Sequence, residues 1–463
     1  MNRRSFLRIS AGTLAACSLP PRSARASIDF RARPSPAQLA WQRDELALFF
    51  HFGINTFTDR EWGDGREDPL VFSPNALDAR QWTRAARAAG ARALILTAKH
   101  HDGFCLWPTR TTTHSVAASP WRSGNGDVVR EFTDACRADG IKAGVYLSPW
   151  DRNNSAYGDS VRYNDLYCDQ LTELLTRYGP IAEVWFDGAN GEGPNGKRQV
   201  YDWPRFFGLV RRLQPNAVMF SDAGPDVRWC GNESGTAGDP NWSPVNPNVV
   251  TFPGQDGPGV NDALQHGDRD GTVWRPAEVD VSIRPGWFYH PAEDGRVRTV
   301  DNLVGLYFSS VGRNGKLLLN VPPTRDGVLH ATDVARLAAF RARLTSTFGE
   351  DVAQGSPRRT VATGGISASV EIDLGKTVPI NVARLEENIE QGQRVARYTL
   401  FGANDGGWQE LSRGTTIGFA KLDRFAPVAV RRVRLSIGDS AGPSGEIALR
   451  LYSTSSPASP ASR

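Results

Sequence analysis

The chain has 463 residues, 40% of them hydrophobic and 22% charged, with a formal net charge of +4. That length exceeds one domain of ordinary size, and the composition excludes a disordered chain. The small net charge, with no basic run, excludes a nucleic-acid partner. The 13 Trp, 10 Tyr and 21 Phe say more. Trp62, Trp107, Trp150, Trp229 and Trp287 stand beside charged residues in expected loops. Aromatic faces next to hydrogen-bonding groups suit sugars, whose C–H faces stack on rings while their hydroxyls bond acids, His and Arg.

The first 26 residues are read as processing signal, not fold. Asn2-Arg3-Arg4-Ser5-Phe6-Leu7-Arg8 is close to a twin-arginine export signal, and Ala24-Arg25-Ala26 offers a cleavage site before Ser27. Leu14-Ala15-Ala16-Cys17 resembles a lipobox, the rival route, which would anchor the chain at Cys17. Either route takes the protein out of a bacterial cytoplasm, to the periplasm or beyond. No later segment is long and apolar enough to span a membrane. Cys105, Cys136, Cys168 and Cys230 show neither metal-knuckle spacing nor a disulfide framework.

From there apolar runs alternate with helical patterns. The runs are Leu46–Gly53, Arg92–Asp102, Lys142–Asp151, Glu183–Asp187 and Asn216–Asp222. Between them lie Gln81–Ala89, Asp127–Asp139, Tyr167–Tyr178 and Trp203–Leu213, each followed by a Gly or Pro stop. This spacing predicts βαβ units on a parallel sheet. The pattern loosens over Gly224–Gly271 and resumes with Val279–His290, a helix at Val300–Val311, a strand at Lys316–Val321 and a helix at Ala331–Phe348. The reading is α/β, a (β/α)8-like barrel over residues 27–349. After Gly349 the period switches to two. Ile366–Leu374, Ala396–Gly402, Val430–Ile437 and Glu446–Tyr452 read as strands of a β-sandwich over 350–453, similar in pattern to discoidin or galactose-binding modules. The Ser/Pro/Ala-rich end, 454–463, reads as a disordered tail.

Several of the apolar runs end in a group capable of chemistry: His51, the pair His100-His101, Asp151, Asp187 and Asp222. In a parallel barrel the C-terminal ends of the strands carry the active site. Three histidines at strand ends raise the question of a zinc site. Neighbours on a strand point to opposite faces, so His100 and His101 enter one site only if the strand is ending, and no H-x-H or H-E-x-x-H pattern occurs. No metal or organic cofactor is expected.

His51-Phe52-Gly53, Lys99-His100-His101-Asp102-Gly103-Phe104 with Trp107, Gly144-Val145-Tyr146, Trp185-Phe186-Asp187-Gly188 and Gly315–Pro323 (GKLLLNVPP), in that order, resemble the barrel motifs of family 29 α-L-fucosidases. The resemblance spans roughly residues 38–350. It implies that His51, His100, His101 and Tyr146 surround a fucose, with Glu61 and Trp62 as another pocket pair, and that Asp187 is the nucleophile. Trp185 and Trp287 are further candidates for sugar contact. Asp226–Glu233 (DVRWCGNE) resembles the segment of the subgroup that cleaves branched α-1,3/4-linked fucose, with Cys230 where that subgroup has valine. It implies Glu233 as general acid/base and Arg228 as a site residue. Asp151 and Asp222 are the rival carboxylates. The implied activity is retaining hydrolysis of fucose from a fucosylated oligosaccharide or glycan. The rivals are a non-catalytic fucose-binding protein and a glycosidase for another sugar, and the sequence sets no oligomeric state.

Overall fold

The computed structural model describes residues 31–362, 368–404, 406–443 and 445–454. The expected export signal, and the tail beyond Thr454, lie outside the described residues. Eight parallel strands form the first sheet: β1 (Leu46–Phe50), β2 (Ala93–Lys99), β3 (Lys142–Leu147), β4 (Glu183–Trp185), β5 (Val218–Phe220), β6 (Arg228–Trp229), β7 (Ala277–Ser282) and β8 (Lys316–Asn320). Their order is β5-β4-β3-β2-β1-β8-β7-β6, and a parallel bridge between Phe220 and Val227 brings the open edges together. The barrel predicted from the alternating pattern is therefore present, nearly closed.

The period-2 alternation of a strand sorts its side chains between two cores. Leu46, Leu48 and Phe50 of β1 face the helices, among Trp82 and Phe132. Ala47 and Phe49 face the barrel interior with Ile95, Tyr146, Trp185, Phe220 and Leu318. The helices Trp203–Leu213 and Ala331–Phe348 have the expected bounds, while that ending at Arg177 begins already at Ser160. An N-terminal helix, Pro36–Arg43, is capped by Ser35 and puts Trp41 into the interior cluster.

The loosened stretch contains more than loop. It holds β6, the helix Val260–His266 and the strand Pro244–Val245, which forms a two-stranded ribbon with Val273–Trp274 just beyond the stretch. A two-residue strand leaves no period to read.

The C-terminal region is an antiparallel sheet of six strands: β9 (Arg358–Ala362), β10 (Ala368–Glu387), β11 (Val395–Ala403), β12 (Gln409–Gly414), β13 (Lys421–Ser440) and β14 (Ile447–Tyr452). The expected strands at 366–374 and 430–437 are parts of two 20-residue strands. The strand does not end at Leu374: it passes Gly375 (φ 73°) and Pro379 through register shifts between Asp373 and Val378 and between Ile380 and Val382, where β10 bulges and carries on. The first half of β10 pairs with β9 and the second with β14. Ile372, Leu400, Leu435, Leu385 and Leu449, from both halves, share one core, so the sheet folds over itself into two layers. Cys105, Cys136, Cys168 and Cys230 are free and buried.

Candidate active site

A cavity of about 590 Å³ opens at the C-terminal ends of the barrel strands. His51 directly follows β1, and its Nδ1 lies 2.9 Å from Oδ1 of Asn320 at the end of β8. The Asn320 amide donates to Ser282 Oγ at the end of β7 and to the Trp287 carbonyl, so one side chain ties three barrel segments beneath the cavity. β2 stops at Lys99, and the Gly103 N–H turns back to the His100 carbonyl. The strand is thus ending, and both His100 and His101 line the cavity, ring centroids 4.1 Å apart.

Asp187 stands two residues past β4. Its Oδ2 accepts the Tyr146 hydroxyl at 2.8 Å and lies 3.8 Å from Nε2 of His101, while Oδ1 accepts the Ala189 N–H at 2.7 Å. These contacts aim the carboxylate into the cavity. Trp185 stacks on Phe220 at 3.9 Å and donates Nε1 to Glu278, forming part of the floor. Across the cavity the Trp287 indole donates to Glu233 Oε2 at 3.2 Å. Burial, more than the charges of Asp187 and Glu61, holds Glu233 above the usual carboxylate range, against that hydrogen bond. Burial also lowers the histidines: His51 to about 3, His100 well below its ordinary value, and His101 less so because the Asp187 charge opposes it. At neutral pH the three are neutral hydrogen-bonding groups, not cations. Among the described residues no group of three or more His, Cys, Asp or Glu is arranged to hold a metal ion.

The α-L-fucosidase family model matches residues 51–346. The chain belongs to the α-L-fucosidase family. α-L-Fucosidase 1 of Arabidopsis thaliana is 41% identical over 88% of this chain and 85% of its own. A glycoside hydrolase family 29 member from an unknown rumen bacterium matches at TM-score 0.84 and 41% identity, over 91% of this chain and 77% of that one. A Ruminococcus gnavus family 29 fucosidase, solved in complex with fucose, matches at TM-score 0.82 and 30% identity, over 92% and 95%.

In this fucosidase Glu61 and Trp62 lie at the cavity rim. Glu61 accepts the backbone N–H groups of Trp287 and Phe288, and Nε2 of His290 lies 2.9 Å from its Oε2. Glu61 therefore shapes the loop that carries Trp287. Trp62 is 58% exposed and meets His101 and Trp150 edge-on.

Arg228 is a correction. On β6 Trp229 points into the barrel and Arg228 outward, where its guanidinium donates to the carbonyls of Leu264 and Arg275 and to Asn241. It braces the helix layer and does not face Asp187. The rival carboxylates also separate from the site. Asp151 pairs with Lys99 at 3.1 Å and caps the N–H groups of Asn153 and Asn154. Asp222 accepts the Gly254 N–H at 3.0 Å, beside the turn at Gly188. Phe49, Asp280, His290 and Glu293 line the cavity and were not among the expected residues. For Asp280 a signal existed: Glu278, Asp280 and Ser282 put polar groups at alternate positions of an otherwise apolar strand, which marks one face of β7 as functional.

Proposed function

We propose that the protein is an exported, retaining α-L-fucosidase that removes α-1,3/4-linked L-fucose from branched glycans. The observation that carries this reading is the convergence of Asp187 and Glu233 on one cavity in different environments: hydrogen-bond donors surround the first, and burial raises the second. Retaining glycosidases need this division, with two carboxyl groups about 5–5.5 Å apart. The R. gnavus relative bound to fucose supports the glycon.

Asp187 attacks the anomeric carbon while Glu233 gives its proton to the leaving glycosidic oxygen, forming a fucosyl ester and the free aglycone. Glu233, now a carboxylate, takes a proton from water, whose oxygen attacks the anomeric carbon and releases Asp187. His51, His100 and His101 bond the fucose hydroxyls, and the aromatic walls cover its apolar side. The linkage reading rests on the Asp226–Glu233 segment. Export rests on the residues before Ser27.

The test is incubation with a Lewis-type trisaccharide and an aryl fucoside, with the released sugar followed by NMR. Fucose appearing first as its α-anomer, faster from the trisaccharide, is expected. First appearance of the β-anomer would overturn retention. Release from the aryl fucoside alone would overturn the linkage. Secretion is checked by fractionating cells that express the full chain, with Arg3→Lys/Arg4→Lys expected to hold it in the cytoplasm.

A further inference from the structure

Three carboxyl groups that line the cavity, those of Glu61, Asp280 and Glu293, are used by neither step above, and of these only Asp280 is buried. Asp280 lies on the inward face of β7, is 4% exposed and lines the cavity. Trp229 Nε1 donates to its Oδ1 at 2.8 Å. Among the described residues no other residue donates to Oδ2; besides Trp229 the carboxyl is met only by its own backbone N–H, and the residue lines the cavity. A carboxyl oxygen so deeply placed is costly unless a water or a ligand completes it. Trp229 also begins the segment that leads to Glu233, so the same carboxyl anchors the base of that loop.

We propose that Asp280 is a further substrate-contacting residue of this fucosidase: Oδ2 meets a hydroxyl of the sugar held between Asp187 and Glu233, while Trp229 fixes Oδ1. The inference rests on the proposed hydrolytic reading of the site. The titratable groups that face Asp280 are Glu233 from the loop after β6, Asp187 from β4, Glu278 from its own strand and the Cys230 thiol. Burial and the Glu233 charge push the Asp280 carboxyl up to about 8, against the Trp229 hydrogen bond. At neutral pH it therefore keeps its proton and can donate to a sugar oxygen, which a carboxylate cannot.

The test is a double-mutant cycle between residue and substrate. Wild-type protein and Asp280→Ala are assayed on an activated L-fucoside and on its three monodeoxy analogues. On the parent substrate Asp280→Ala is expected to lower kcat/KM by about ten- to hundredfold, the usual effect of removing one partner of a buried hydrogen bond. One analogue should be poor for the wild type yet lose little more in the variant. Asp280→Asn keeps an acceptor and a donor, and should lose several-fold less than Asp280→Ala. A wild-type rate in Asp280→Ala, or the same loss on every analogue, overturns the contact. If Asp280→Ala does not fold by circular dichroism, the cycle runs with Asp280→Ser. Failure of the wild type to release fucose from both the parent and a Lewis-type trisaccharide overturns the hydrolytic reading itself, whereas release with additive losses overturns only the contact.

Discussion

The two ends of the barrel interior both carry buried carboxyl groups, and they treat them differently. At the N-terminal end Glu183 and Glu278 face Lys316, whose Nζ lies 3.3 Å from Glu183 and 4.4 Å from the centre of the Trp41 ring. Indole N–H groups from Trp41 and Trp185 complete the set. Burial and the Glu183 charge push Glu278 well up, so it holds its proton beside the Glu183–Lys316 pair. At the C-terminal end Asp187, Glu233 and Asp280 surround an open cavity beside neutral histidines. A buried acid paired with a lysine holds a fold together. Buried acids whose neighbours are hydroxyls, indoles and neutral imidazoles stay available to a ligand.

The comparison breaks first at Asp187. Asp187→Ala is expected to lower turnover by at least about a thousandfold while leaving Tm almost unchanged, because no cation loses its partner. Azide should restore part of the rate by filling the space and attacking in place of the carboxylate. Near-normal activity in this variant would remove Asp187 from the chemistry.

Glu233→Ala should act more selectively, slowing substrates with poor leaving groups by about a hundredfold or more and sparing the first step with fucosyl fluoride. The basic limb of the pH–rate profile reports the group that must be protonated. Because burial raises Glu233, that limb should lie above the ordinary carboxylate range in the wild type and vanish in the variant. Asp151→Ala and Asp222→Ala serve as controls. If either shows the leaving-group dependence and Glu233→Ala does not, the acid/base assignment is wrong.

At the other end of the barrel the expected loss is in stability. Lys316→Met leaves the Glu183 charge buried without its cation, which costs about 3–5 kcal/mol. Thermal unfolding should shift down by several degrees, and Lys316→Met/Glu183→Gln should recover part of it. An unchanged Tm would mean that the lysine is not the counter-charge its position indicates.

The barrel and part of its C-terminal face were legible in the sequence, but the carboxyl–lysine cluster at the N-terminal end was not. Apolar runs with Gly or Pro stops marked most barrel strands and helices, and period 2 marked the C-terminal strands. Runs ending in His or Asp marked part of the site, while the pocket roles of Glu61, Trp62, Tyr146 and Glu233 came only with the family resemblance. Three further features were not legible, each for a local reason. The facing of Arg228 depends on a strand of two residues, too short to show alternation. The full length of β10 is hidden because the irregularity at Gly375 and the residue Pro379, which is paired in register with Ala429, both look like strand ends. The joint entry of His100 and His101 depends on where β2 stops, which is fixed by the turn to Gly103 rather than by the two histidines.

The smallest expected effect concerns the rim acid Asp222, which sharpens the comparison because it lies near Asp187 without lining the cavity. Burial and the Asp187 charge raise it to about 6, against the Gly254 hydrogen bond. An acid whose folded pKa exceeds its unfolded value of about 3.9 binds more protons in the native state between those two values. Stability is therefore lost as pH rises from about 4 to 6 and stays lower above that. Asp222→Asn keeps an acceptor for the Gly254 N–H and removes the charge. The variant should match wild-type stability near pH 4 and exceed it above pH 7 by on the order of 1–2 kcal/mol, within the limit set by a two-unit shift. Denaturant midpoints at the two pH values measure the difference. An equal gain at both would assign it to packing, and a loss at pH 7 would show that the Asp222 charge stabilises the Gly188–Gly254 turn more than burial penalises it.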